Sequence, residues 1–167
     1  MGLAQNIREA YTTGGLGIRV NRDPAALGIV QTSNLFTITG APVYINLLIG
    51  EVVTVLETAA TTIRLEHINS VTTGQTGFNS AALNVSAEPA GTIWVFGDLF
   101  GTSPLLNTDC YRPVANYLLG SMTGTLGIMA PPGIIRLILA GADSTTGTVR
   151  WTLFYVPMFR DALVVPN

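Results

Sequence analysis

Hydrophobic residues in this chain recur at alternate positions over short runs, and that period of two predicts strands. The clearest case is 148–156, where Val149, Trp151, Leu153 and Tyr155 share one face while Arg150 and Thr152 point away. A second run, 62–68, places Ile63, Leu65 and His67 opposite Arg64 and Glu66. The longest run, 43–57, is apolar on both faces. Val43, Ile45, Leu47, Ile49, Glu51, Val53 and Val55 occupy one, and Tyr44, Asn46, Leu48, Gly50, Val52, Thr54 and Leu56 the other. A strand wet on one side alternates cleanly, so this run predicts cover on both sides, with Gly50 as a bulge or bend between two half-strands.

Turn chemistry separates the runs. Gly40-Ala41-Pro42 closes a short strand at 35–39, and Glu88-Pro89-Ala90-Gly91 joins short strands at 83–86 and 92–97. The polar stretch 141–147 reads as a hairpin loop between strands at 134–140 and 148–156. Residues 69–80 and 98–107 read as loops, and 113–119 as one short helix that begins at Pro113 and stops before Gly120. Eight to ten short strands with a turn every dozen residues predict an all-β, single-domain sandwich, jelly roll or barrel. Flanking the β domain at 29–156 are expected extended arms, a glycine-rich one at 1–28 with a short first strand at 18–20, and one at 157–167.

Composition narrows the class. Only 11% of the 167 residues are charged, 48% are apolar, and the mean hydropathy is +0.45. Ordinary soluble domains carry about a quarter charged residues. A surface so sparsely ionised predicts that much of it faces protein, as in a homo-oligomer. All eight basic residues are Arg, the better residue for partly buried bidentate pairs. With a net charge of −2 there is no basic footprint for nucleic acid. The uncharged stretches 24–50 and 113–135 are interrupted by Pro24, Pro42, Pro131 and Pro132, which argues against membrane spans. No signal-peptide pattern opens the sequence, so synthesis in the cytoplasm is expected.

Candidate chemistry is thin. One His and one Cys exclude a zinc site of ordinary composition, and the carboxylates are scattered without a calcium-loop spacing. A nucleophile–base pair would have to join His67 to Ser70, Ser80 or Cys110, but His67 lies on the apolar side of its strand, the place of a structural histidine. No Gly-x-Ser-x-Gly elbow is present. No catalytic residue, metal or cofactor is therefore expected. Trp94 with Phe96, and Trp151 with Tyr155, read as core filling; their other reading is a stacking platform for sugars or bases.

Two segments carry a resemblance. Thr37-Ile38-Thr39-Gly40 followed by 43–54, and the ending 146–158, are similar to patterns in small head-associated proteins of tailed bacteriophages. The resemblance implies a capsid decoration (cement) protein of the virion surface: a β-rich oligomer, often a trimer, clamped onto the major capsid protein. On that reading Arg8, Arg19 and Arg22 of the first arm contact the capsid. Ile45, Leu47, Ile49, Val53, Trp151 and Tyr155 are expected in the core or the subunit seam. The alternatives are another virion part (capsid jelly roll, tail or fibre base), or a carbohydrate-binding β-sandwich with Trp94 or Trp151 exposed.

Overall fold

The computed structural model describes residues 17–28, 32–58, 60–78, 82–96, 105–107 and 128–167. Within them lie twelve strands and no helix. They are β1 (Ile18–Ala25), β2 (Thr32–Thr39), β3 (Val43–Thr54), β4 (Thr61–Asn69), β5 (Gln75–Gly77), β6 (Leu83–Asn84), β7 (Ile93–Phe96), β8 (Leu105–Asn107), β9 (Ile128–Ala130), β10 (Gly133–Gly141), β11 (Thr148–Pro157) and β12 (Leu163–Pro166). The expected helix at 113–119 lies outside the described residues.

Every pairing is antiparallel. One sheet runs β1-β11-β3-β7-β8 with β9 also on β3; the other runs β12-β2-β10-β4-β5 with β6 also on β4. Nested pairing puts β1 beside β11, β2 beside β10, β3 beside β7 and β4 beside β5, each pair inside one sheet and successive pairs in alternate sheets. Nested pairing of this kind is a long hairpin rolled into two facing sheets, a jelly-roll sandwich.

The inner faces meet in one core. Val149, Trp151, Leu153 and Tyr155 of β11 and Trp94 and Phe96 of β7 face Ile63 and Leu65 of β4, and Ile135, Leu137 and Leu139 of β10. Burying each such large side chain contributes about 1.5–3 kcal/mol.

The alternation of β3 inverts partway. Tyr155 pairs with Ile45 but Phe154 with Leu47, so Asn46 is an extra residue, a β-bulge. Before it Val43 and Ile45 point inward; after it Leu48, Gly50 and Val52 do. Of the residues expected in the core or seam, Ile45, Trp151 and Tyr155 are buried, while Leu47, Ile49 and Val53 are half-buried on the outer face. The bulge expected at Gly50 is at Asn46 instead, and the pairing of Gly50 with Trp151 shows no register shift. The strand runs straight through, and the glycine is there because a Cβ would stand 2.8 Å from both the Trp94 and Trp151 rings.

The hairpin expected at 141–147 and the turn at 88–91 are both crossings between sheets. Residues 142–147 lead from β10 in one sheet to β11 in the other, and the Glu88–Gly91 turn leads from β6 to β7 across the same gap. The short strand expected at 18–20 is the start of the longer β1, and the stretch expected as a second arm also contributes a strand. β1 is the edge of one sheet against β11, and β12 is the edge of the other against β2.

Replacing Gly50 with Ala forces a methyl against two rigid indoles, so a loss of about 1–3 kcal/mol is expected. Urea unfolding of the Gly50→Ala protein measures it; an unchanged midpoint would mean that the indoles are free to move aside.

Candidate functional site

Three short crossings between the sheets gather at one end of the sandwich. Residues 40–42 join β2 to β3, 131–132 join β9 to β10, and 158–162 join β11 to β12. The β4–β5 turn at 70–74 ends at the same pole, since Asn69 pairs with Gly133.

These loops are tied down. The amide of Met158 donates to the Pro42 carbonyl at 3.2 Å, and that of Ala162 to Phe159 at 3.1 Å. Both the amide and the hydroxyl of Ser70 donate to the Pro132 carbonyl, the hydroxyl at 2.9 Å. Asn69 Oδ1 accepts from the amides of Val71 and Thr72 at 2.8 and 3.2 Å, an Asx-turn that leaves Thr73 at a positive φ of 54°. Gly40, at φ +74°, passes so close to the Asp161 carbonyl that a Cβ would lie 2.0 Å from it.

What the loops display is apolar. Eight large hydrophobic side chains are exposed among the described residues, and six lie at this pole: Val71, Met158 and Phe159 in the loops, and Met129, Val156 and Leu163 on the strand ends that flank them. Val71 is 83% exposed and Met129 and Phe159 are each 62% exposed, so these groups stand in solvent. The exposed charges of these loops are only Arg160 and Asp161. From β12 to β4 the pole spans three strand spacings, roughly 15 Å.

A half-open pocket of about 170 Å³ indents the pole beside Met129, with His67, Asn69, Gln75 and Pro131 in its wall. Small-molecule sites start at roughly 300 Å³, so this one has room for a single side chain. His67 is buried, and its Nε2 lies 3.0 Å from the Pro131 carbonyl oxygen, to which the neutral ring donates. Burial pushes its pKa below the ordinary 6.5, and the bond to Pro131 offsets part of that fall. Ser70 is engaged with Pro132, so it makes no pair with His67. Ser80 and Cys110 lie outside the described residues.

The other polar candidates serve the fold. Glu66 is buried in an ion pair with Arg136, and Glu51 pairs with Arg150 at 3.0 Å on the outer face of β3 and β11. Glu57 accepts from the amides of Thr145 and Thr146 and so holds the 142–147 crossing. Glu88 accepts from the Thr92 hydroxyl at 3.2 Å, and its burial raises its pKa. Among the described residues, no three His, Cys, Asp or Glu side chains come together as metal ligands, and no helix is long and apolar enough to cross a membrane.

The expected capsid-contact arginines separate. Arg8 lies outside the described residues. Arg19 is exposed on the outer side of β1. Arg22 points the other way: its Nε donates to the Asn167 carbonyl oxygen at 2.9 Å, clasping β1 to the end of β12, and burial lowers its pKa. Trp94 and Trp151 are 0% and 1% exposed, which removes them as a stacking platform. Val71, Met158 and Phe159 escape a reading of alternation because they sit in turns, where no period marks them, while Met129, Val156 and Leu163 stand on the strand ends beside those turns.

Fold and surface together define a jelly-roll β-sandwich with one rigid, apolar, loop-built end. No family model matches the chain, and no curated protein or solved structure is significantly similar to it.

A lowered histidine pKa means that the folded state takes up its proton later than the unfolded chain does. The stability from neutral His67 is therefore full above pH 6.5 and is lost as the pH falls through the lowered value. Glu88 acts with the opposite sign: its contribution is present below the ordinary 4.5 and fades as the pH rises through its raised value. Comparing wild type with His67→Gln cancels the Glu88 effect. The urea midpoint of wild type is expected to drop more steeply below pH 6.5 than that of the variant; parallel curves would show that His67 is solvated.

Proposed function

We propose that this chain is a virion structural protein that binds and stabilises the outside of a phage capsid, acting as a homo-oligomer, a trimer, without catalysis or cofactor. The observation that carries the reading is the pole: large apolar side chains on hydrogen-bonded loops and the strand ends beside them, nearly free of charge. Monomeric proteins seldom leave such a surface open, and patches of this kind mark protein–protein contact. Immobilised loops lose little entropy on docking, which favours a part that must hold a lattice. Both segments with the resemblance run into this end: 37–54 covers the tail of β2, the 40–42 crossing and β3, while 146–158 covers β11 and its exit. The carbohydrate-binding alternative loses its support, because both tryptophans that would stack on a sugar are buried.

The test is sedimentation of the full chain with expanded, undecorated heads assembled from the capsid gene of the same genome. Saturable co-sedimentation and a higher rupture temperature of the heads are expected. A genome without a capsid gene, or heads that stay bare, would sink the reading.

The two described arginines are expected to behave differently in that assay. Arg19→Ala leaves the melting temperature unchanged and weakens head binding severalfold. Arg22→Ala breaks the clasp to Asn167 and costs about 1–2 kcal/mol of stability. Deleting 1–16 probes the remaining arm without cutting into β1. If Arg19→Ala and the deletion both bind as wild type, the first arm has no part in docking.

A further inference from the structure

We infer that copies of this chain meet one another through the turn between β11 and β12, with Met158 and Phe159 at the seam and Arg160 of one copy against Asp161 of the next. The inference rests on reading the pole as a docking surface and names the occupant of one side of it.

The turn is built to present these residues. It is fixed at its base by the Met158 amide on the Pro42 carbonyl, closed by the Ala162 amide on the Phe159 carbonyl, and backed by Gly40 against Asp161. Phe159 and Met158 are 62% and 45% exposed at its tip, with Val156 and Leu163 exposed on its two flanks. Across the outer face of the sheet, Val156 pairs with Tyr44, and Tyr44 with Met129, so the apolar surface continues away from the turn. Methionine, aromatic residues and arginine are the types enriched where protein surfaces meet.

Charge selects a second copy over a foreign partner. The pole offers two exposed charges of opposite sign on adjacent residues, and neither makes an ion pair within the described part of the chain. A partner complementary to this surface must present an apolar patch with one acidic and one basic group side by side. This same turn is such a surface. Around a rotation axis passing by the turn, each Arg160 reaches the Asp161 of its neighbour, and the order of the axis can be two or three. The pairs sit at the rim of an apolar contact, where charge fixes orientation more than affinity.

The experiment is light scattering and sedimentation velocity on the full chain at micromolar concentration. Wild type is expected at a multiple of the chain mass. Phe159→Asp is expected to weaken association roughly tenfold or more, with an unchanged circular dichroism spectrum because Phe159 is exposed. Val55→Asp at the opposite pole, where Val55 is 60% exposed, leaves the mass unchanged. Arg160→Asp and Asp161→Arg each place like charges together and weaken association; the double variant Arg160→Asp with Asp161→Arg regains it. A wild-type chain of single mass, a Phe159→Asp protein that stays assembled, or a double variant no better than either single one overturns the inference. Head binding is scored separately. Heads that stay bare beside a self-associating wild type would defeat the capsid reading and leave this one standing; a Phe159→Asp protein that stays assembled yet binds heads would do the reverse.

Discussion

A residue without a side chain sits between two tryptophans, and the packing of the sandwich follows from that contact. Trp94 and Trp151 are cross-strand neighbours of Gly50 on either side, with ring centroids 6.0 Å apart. Phe96 adds a third ring 6.1 Å from Trp151. A strand slipped by one residue would drive Ile49 or Glu51 into the indoles, so the register of β3 is pinned. With Gly50 inward, Leu48 and Val52 must also face in, and the bulge at Asn46 lets Val43 and Ile45 face in as well. The cost is visible too. The Trp94 indole nitrogen is buried without a hydrogen-bond partner among the described residues, a defect worth about 1–3 kcal/mol that the burial of three rings outweighs.

The same register decides what the outside looks like. Once Leu48, Gly50 and Val52 are inside, Leu47 and Ile49 fall on the outer face, beside Phe154 of β11 and Val95 of β7. That face is half-buried and mostly apolar, with the Glu51–Arg150 pair as its polar interruption. The open edge on the other side of the sheet is guarded differently. β1 carries Pro24 at a bulge, with Arg19, Arg22 and Asp23 along it, and β12 ends in Pro166. Proline and charge on an edge strand discourage a further strand from adding there. Arg22 and Asn167 then fasten the two edges to each other. Docking by strand addition is thus blocked along β1 and β12, while docking by apolar contact at the pole is left open.

The all-β class, most strands and the buried faces of β4 and β11 were legible in the sequence, because alternation alone encodes them. The inner and outer sets of β3 were not. A bulge adds one residue, and no residue type at Asn46 announces that the phase changes there. The crossing at 142–147 was misread as a hairpin because neighbouring runs in sequence pair only if they share a sheet. A polar loop of six residues serves either purpose. The start of β1 was legible at 18–20, but its continuation to Ala25 and the whole of β12 were hidden inside expected arms, because an edge strand has one neighbour and tolerates proline, so its composition resembles an extended tail. Arg22 looked like a free surface charge because its acceptor is a backbone carbonyl 145 residues away.

The jelly-roll winding explains why large apolar side chains stand exposed at one end of the sandwich. Each return of the chain from one sheet to the other at this pole takes only two to five residues, too few to form a loop that folds over and covers itself. Backbone hydrogen bonds tie these loops together, Met158 to Pro42 and Ser70 to Pro132, and side chains at the tips are left with no internal surface to pack on. Hydrophobic side chains in such positions stay exposed in the free chain whatever the core does. Polar replacements at the tips would disturb nothing inside, because the crossings are held by their main chain. Valine, methionine, phenylalanine and leucine occupy those tips in a chain otherwise rich in threonine and serine. Their exposure adds nothing to the core, and apolar surface of this kind is typical of protein–protein contact.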